Sequence, residues 1–482
     1  MQTPKQTNEW DYIIIGAGTA GCVLANRLAS NKKLKILLIE AGYQDKSLKI
    51  KIPALQPLVF GNKKFDWCYR ANPDATRDNI SHIWPAGKVW GGSSSLNGMI
   101  YIRGQKEDFD EWMTFGIKGW DYNEVLKYFR KSENNERGAS TYHGSEGPVY
   151  ISDMKAHHLL NDEFIKDFKK NNISFNNDFN GENQFGVGKL QVFQKHGFRQ
   201  NTSIAYLNSV KTFSNLKIVS GAIVEKVIIE NGKALGVQLV KEGIVRKFFS
   251  KGEVIVSAGT IGSPMILQRS GIGNGQKLKE LGISVKSNQK AVGKNLQEHP
   301  GSYCEFPVNI STYNTQLNIL DSIKHIYSWI VKKSGPIVTP AATCCAFFNT
   351  KGILERPDAQ IHFSPFSYHY SPLEKLTLPK YPAVLTGTCL LNPEARGEVM
   401  IPSKSPLESP IIFHELWGSN SDLLRMKKAL KKVSDIFSSE PISKYVKRNP
   451  LKNLSNEELS VYIKNNSFMG YHSVGTCAMG DK

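Results

Sequence analysis

At 482 residues, with 40% hydrophobic and 22% charged residues, the chain has an ordinary globular composition and is too long for one compact core. Its net charge of +18 rests on 48 Lys and only 13 Arg, scattered rather than clustered. That pattern disfavours nucleic-acid recognition and points to a solvated Lys-rich surface, or else to an anionic membrane face or acidic partner. No run is apolar enough to span a membrane, and the polar opening MQTPKQTNEW has no secretory core. Seven widely spaced Cys without a C-x-x-C argue for a reduced compartment without structural zinc. A cytoplasmic location is expected, with peripheral attachment to the inner membrane face left open.

The first apolar run, Tyr12 to Ile15, is continuous and β-branched, as expected of a strand buried on both faces of a parallel sheet. It enters Gly16-Ala17-Gly18-Thr19-Ala20-Gly21, and a helical pattern with Leu24 and Leu28 follows. A second strand, Leu34 to Ile39, ends in Glu40 and Ala41, which places the acid 19 residues (40 less 21) after the last glycine. This is the dinucleotide-binding order of strand, G-x-G-x-x-G, helix, strand and acid. Gly16 permits the tight turn, Gly18 lets the backbone approach a pyrophosphate, and Gly21 lets helix and strand pack closely. The helix N-terminus offers unpaired N–H groups and a positive dipole end to phosphates. Glu40 suits ribose hydroxyls and would repel a 2′-phosphate, which disfavours NADP. The fingerprint alone does not separate FAD from NAD.

Residues 85–99, PAGKVWGGSSSLNGM, are too rich in Gly and Ser for a regular element. They suit either a long surface loop or a backbone threaded beside a flat cofactor. A strand is expected from Ala222 to Ile229. A second strand, glycine turn and helix follows at Val254 to Gly273, and then VGKNLQEHP at 292–300. Further on, 360–363 and 383–389 read as strands, 392–397 as a turn, and Leu423 to Phe437 as an amphipathic helix. His157, His158 and His369 lack partners at metal-ligand spacing, so no metal is expected. Tyr368, Tyr370 and Tyr381 lie close in sequence, where a cationic substrate would want aromatic rings, although packing explains them as well. The chain closes on Tyr471-His472-Ser473-Val474-Gly475-Thr476-Cys477.

The fingerprint, GKVWGGSSSLNGMIYIRG, GTIGSPMILQRSGIG, VGKNLQEH and YHSVGTCAMG, in this order and across nearly the whole chain, resemble the glucose-methanol-choline (GMC) oxidoreductase family of FAD flavoproteins. Choline-dehydrogenase-like members are the nearest in character. The resemblance implies an α/β fold: a Rossmann-like FAD-binding domain at 1–155, 196–300 and 457–482, and an α+β substrate cap with an antiparallel sheet at 156–195 and 301–456. It implies that Gly16, Gly18, Thr19, Ala20, Gly21, Glu40 and Ala41 hold the ADP half of FAD. Val89, Gly91, Gly92, Ser93, Asn97, Gly98 and Met99 would line the pyrophosphate and ring, with the Val224 backbone at the adenine. Leu96 stands where some members carry a FAD-linking His, so dissociable FAD is expected.

The same resemblance makes His472 the catalytic base of an alcohol oxidation and His299 a structural or flavin-adjacent residue. A neutral imidazole suits that task because its unperturbed pKa lies near working pH. The implied substrate is a small primary alcohol, choline among the candidates, with oxygen, quinone or another acceptor taking the electrons. Related photodecarboxylases would call for a non-basic residue at position 472. The resemblance also implies a further C-terminal stretch beyond Met479-Gly480-Asp481-Lys482, so a chain that stops short is expected. An impaired FAD-binding remnant is the alternative reading.

Overall fold

The computed structural model describes residues 9–352, 356–370 and 376–480; the opening eight residues and positions 481–482 therefore lie outside the described residues. The run predicted as a doubly buried strand is the middle of a six-stranded sheet. Its members are β1 (Glu9–Ile15), β2 (Ile36–Glu40), β3 (Leu216–Ser220), β4 (Ile223–Glu230), β5 (Lys233–Lys241) and β6 (Ile244–Val256), in spatial order β3-β2-β1-β6-β5-β4. β3, β2, β1 and β6 are parallel, and β6, β5 and β4 continue as an antiparallel meander. Alternation decides which residue faces which layer. Ile14, Ile36 and Leu38 pack with Cys22 and Ala25 of helix α1 (Thr19–Ala29), whereas Ile13, Ile15, Leu37 and Ile39 pack with Val224 and Leu239. Each such fully buried aliphatic side chain contributes about 1.5–3 kcal/mol. Helix α2 (Gly259–Arg269) follows β6 directly, as the glycine turn at 259 requires.

The second sheet also has six strands and is antiparallel. It contains β7 (Pro300–Pro307), β8 (Cys344–Phe348), β9 (Ala359–Ser364), β10 (Ala383–Leu390) and β11 (Ser467–Met469), in the order β11-β7-β10-β9-β8, with the strand Gly186–Lys189 at its far edge. Every residue of β8 and β10 is buried, so both faces of the sheet are covered. Helix α3 (Ile319–Tyr327) lies in the connection between β7 and β8. Helix α4 (Asn420–Ser438) covers one face and contains the predicted segment 423–437; Ser419 caps its N-terminus by accepting from Asp422 N–H. Helix α5 (Asn456–Asn465) leads into β11.

Within 457–482, expected to rejoin the nucleotide-binding part, β11 pairs with β7, while Leu459, Ile463 and Met469 share one core with Tyr69, Trp84, Ile261 and Met265. The free edge of β7 accounts for this pairing, because unpaired backbone groups at a sheet edge take the nearest extended segment.

Aromatic rings knit the cap. Phe306 stacks on Phe437 at 3.9 Å, and Phe164 on Phe363 at 4.5 Å. Phe437→Ala should lower stability by about 3–5 kcal/mol through the cavity it leaves. Thermal melting of the flavin-loaded chain checks this, and an unchanged midpoint would contradict the packing described.

Candidate cofactor and active site

The turn between β1 and α1 is as tight as its glycines suggest. Gly16 has a φ of +99°, and a Cβ there would lie 2.7 Å from the Ser257 carbonyl oxygen at the end of β6. A Cβ on Gly21 would lie 1.8 Å from the Gly16 carbonyl oxygen, so any other residue would separate helix from strand. Gly18 precedes Thr19 and Ala20 as the N-cap of α1, and no side chain caps that end. Its amides are thus left to an anion.

Glu40, at the end of β2, is buried. One carboxylate oxygen accepts from Ala17 N–H and the other from Gly42 N–H, both at 2.8 Å. Burial raises its carboxyl to about 7 against the pull of these amides. Glu40, expected to meet ribose hydroxyls, also locks the turn through both its oxygens, with lone pairs remaining for a hydroxyl. Ala41 follows it, and the Glu40 carbonyl accepts from Ala222 N–H, which brings Val224 of β4 to the same end of the sheet.

The 85–99 block settles against this turn. Gly91 N–H donates to the Ala17 carbonyl at 2.8 Å, and a Cβ on Gly92 would lie 2.7 Å from Gly18 Cα. Ser93 is exposed, and its hydroxyl accepts from Gly87 N–H. Gly98 abuts Ala341, where a Cβ would come within 2.6 Å of the Ala341 Cβ. Val89 and Met99 are fully buried among protein side chains, so only their backbones are available to a ligand. Asn97 is oriented by a residue the sequence did not single out. Arg199, almost completely buried, donates from Nη1 to Asn97 Oδ1 at 2.6 Å and to the Ser94 carbonyl at 3.1 Å. Its Nη2 meets no partner among the described residues, and burial lowers its pKa to about 9.

The last two motifs close on each other. Gln297 and Val474 exchange a pair of backbone hydrogen bonds at 3.0 and 3.1 Å. Thr260, in the first turn of α2, donates its hydroxyl to the Ser473 carbonyl, and Thr476 returns one to the Thr260 carbonyl. Gly470 is required beside them, since a Cβ there would sit 2.9 Å from His472 Nδ1. His472 Nδ1 then lies 3.2 Å from His299 Nδ1, with the two rings nearly perpendicular. One hydrogen bond joins them only if a single proton occupies that gap.

Glu298 Oε1 accepts from both His472 N–H and His299 N–H, at 2.8 and 2.9 Å. Its Oε2 is buried without a partner among the described residues. Burial raises the Glu298 carboxyl to about 8. Burial, aided by the neighbouring His472, lowers His299 to about 3 and His362 of β9 likewise to about 3. Burial also lowers His472, although its surface is accessible, which is the situation of a ring lining a recess within the protein. All three imidazoles are neutral at pH 7, as a proton acceptor must be. Tyr303, stacked on Phe468 at 4.1 Å, and Tyr368, whose hydroxyl lies 3.4 Å from that of Tyr303, add aromatic surface near Tyr471.

Tyr381 turns elsewhere, onto Glu305, which Ser367 and His369 also reach. The Tyr370 side chain lies outside the described residues.

Five segments read separately along the chain thus meet in one place, and the comparisons agree with their order. The GMC oxidoreductase family matches with its N-terminal region over residues 10–301 and its C-terminal region over 393–482. The chain belongs to the GMC oxidoreductase family. It is 35% identical over 479 residues to an alcohol dehydrogenase (acceptor) of Pseudomonas putida, covering 98% of this chain and 86% of that one. It is 32% identical over 493 residues to the mitochondrial choline dehydrogenase of Homo sapiens, covering 99% and 82%. A solved pyridoxine 4-oxidase from Mesorbium loti shares the fold with a TM-score of 0.88 at 24% identity, covering 98% of this chain and 90% of that one. The expectation of a missing C-terminal family region is corrected by these matches, because that region is present at 393–482.

FAD is the cofactor of this GMC fold, and the residues present fit it. The uncapped α1 end, the cradle that any side chain at Gly92 would fill, and the orphaned Arg199 Nη2 are groups that a large anionic ligand completes.

The raised Glu298 carboxyl has a sign for stability. Folded, it stays protonated up to about 8, while unfolded it ionises near 4.5. Its contribution is complete below the unfolded value and is lost as pH rises through the folded one. Glu298→Gln should therefore flatten the fall of melting temperature between about pH 5 and pH 8. An identical pH profile in both proteins would contradict a protonated Glu298.

Proposed function

We propose that the chain oxidises a primary alcohol to the aldehyde, with His472 accepting the hydroxyl proton. The observation that carries this reading is the neutral His299–His472 pair, seated by one carboxylate oxygen and joined to the first turn of α2. FAD, when bound, supplies the two-electron acceptor that takes the carbon-bound hydride.

The chain's own residues do the rest. Gly18, Thr19, Ala20 and Gly21 present the α1 amides to the pyrophosphate, Glu40 faces the ribose, and the Val224 backbone serves the adenine. Gly91, Gly92, Ser93, Asn97, Gly98 and the backbones of Val89 and Met99 line the ring-proximal loop. Leu96 is buried and offers no nucleophile, which supports a dissociable flavin. His299 holds the His472 ring by the shared Nδ1 contact and leaves Nε2 of His472 for substrate. A proton taken there generates an imidazolium that burial disfavours, which keeps the ring neutral before the reaction.

Choline is one substrate within this class. The carboxylate nearest the Tyr303 ring along β7, Glu305, is already engaged by Ser367, His369 and Tyr381, which favours a neutral alcohol over a cation.

His472→Ala should keep flavin absorbance and lose turnover with primary alcohols by about 10²–10⁴-fold, the usual weight of a positioned base. Since His472 is lowered from 6.5, wild-type turnover should decline only below the ordinary histidine range. A flavin-loaded His472→Ala protein with undiminished turnover would overturn the assignment.

A further inference from the structure

Helix α3 and the turn after it, Ser328–Lys332, expose their apolar side instead of burying it. Asn318 caps the helix by accepting from Asp321 N–H, so the helix is properly begun, yet none of its residues is buried. Ile319 is 79% exposed and Leu320 71%, and Ile323, Ile326, Ile330 and Val331 are exposed with them. Positions 319, 323, 326 and 330 recur at helical spacing, so the exposed residues form one stripe rather than scattered points. The opposite side is the docked one. Trp329 donates from Nε1 to the Gly197 carbonyl at 3.0 Å and meets the Phe198 ring edge-on at 5.2 Å. An aliphatic stripe of this extent in water marks an interaction surface.

Charge identifies its partner. Within 317–333 the ionised groups are Lys324, Lys332 and Lys333 against a single Asp321. The helix Leu48–Lys51, which holds Arg199 Nε through the Ile50 carbonyl beside that same Phe198 hairpin, adds exposed Leu48 and Lys49. Two copies of the chain would bring like charges together on top of a net +18 each. An anionic bilayer offers both complements, acyl chains for the stripe and headgroup charge for the lysines. Among the described residues no helix is long and apolar enough to cross a membrane, so the helix lies in the plane of the interface.

We infer that α3 and the Ser328–Lys332 turn form a docking face for an anionic lipid bilayer, with the isoleucine stripe seated among the acyl chains and the lysines at the headgroups. The face is independent of the alcohol chemistry, and it connects to it structurally. Pro336–Val338 follows directly, and three residues later Ala341 lies against Gly98 of the cofactor loop.

The test is co-sedimentation of the flavin-loaded chain with vesicles of phosphatidylcholine alone or mixed equally with phosphatidylglycerol. Binding to the mixed vesicles should be stronger by about tenfold or more, and added salt should weaken it. The triple variant Ile319→Asp, Ile323→Asp, Ile330→Asp should lose about tenfold in binding while keeping its melting temperature and flavin content. Lys332→Glu with Lys333→Glu should abolish the preference for phosphatidylglycerol. Absence of wild-type binding to the mixed vesicles, or unchanged binding by the triple variant, would overturn the inference. So would a wild-type dimer that the triple variant converts to monomer without any vesicle binding, which would assign the face to a second copy.

Discussion

A single oxygen, Oε1 of Glu298, accepts the backbone N–H of His299 and of His472, residues 173 apart in sequence. Together with the Gln297–Val474 pair, it turns the segment after β11 back toward the nucleotide-binding sheet. With it, the left-handed Tyr471 and the bare Gly470 place one imidazole against the other, and the two Thr260 contacts fix the pair to the first turn of α2. That turn begins where Ser257 closes on Gly16, so the dinucleotide fingerprint and the candidate base share one rigid support. Burial makes the arrangement electrostatically one-sided. A protonated Glu298 and three neutral histidines leave the recess free of net charge, and any charge that develops there during reaction is costly unless it is passed on.

The nucleotide half was largely legible in the residues because its constraints are local. Tyr12–Ile15, the spaced glycines and Glu40 each report a requirement that acts within a few positions, and each is found where that requirement puts it. The cap strands at 360–363 and 383–389 were legible too, the first from the alternation of Gln360, Ile361, His362 and Phe363 and the second from its largely apolar residues. Glu298 and Arg199 were not. Their importance comes from contacts across more than a hundred residues, and nothing in the pattern VGKNLQEH distinguishes a buried carboxyl from a solvated one. Arg199 in particular looked like one cation among many, yet it sits without a carboxylate partner among the described residues and orients Asn97.

The expected shortfall in the C-terminal family region did not hold, since that region matches residues 393–482. The short strand at 467–469 was not read from the sequence, because it is fixed by the nearest unpaired edge, that of β7. The basic composition was read as surface solvation or as attraction to an anionic face, with no way to choose from counts alone. The exposed stripe on α3 sits beside lysines, and none of its helix residues is buried among the described residues. Hydrophobic periodicity identifies an amphipathic helix and is silent on which side the fold will hide.

The account stands on a neutral imidazole pair beside a flavin site working on an alcohol. Its most direct test is the visible spectrum of the purified chain with FAD, before and after anaerobic addition of a panel of primary alcohols that includes choline. Bleaching of the oxidised-flavin band by at least one neutral alcohol is the expected result. A fully loaded flavin that no alcohol in the panel reduces would contradict it.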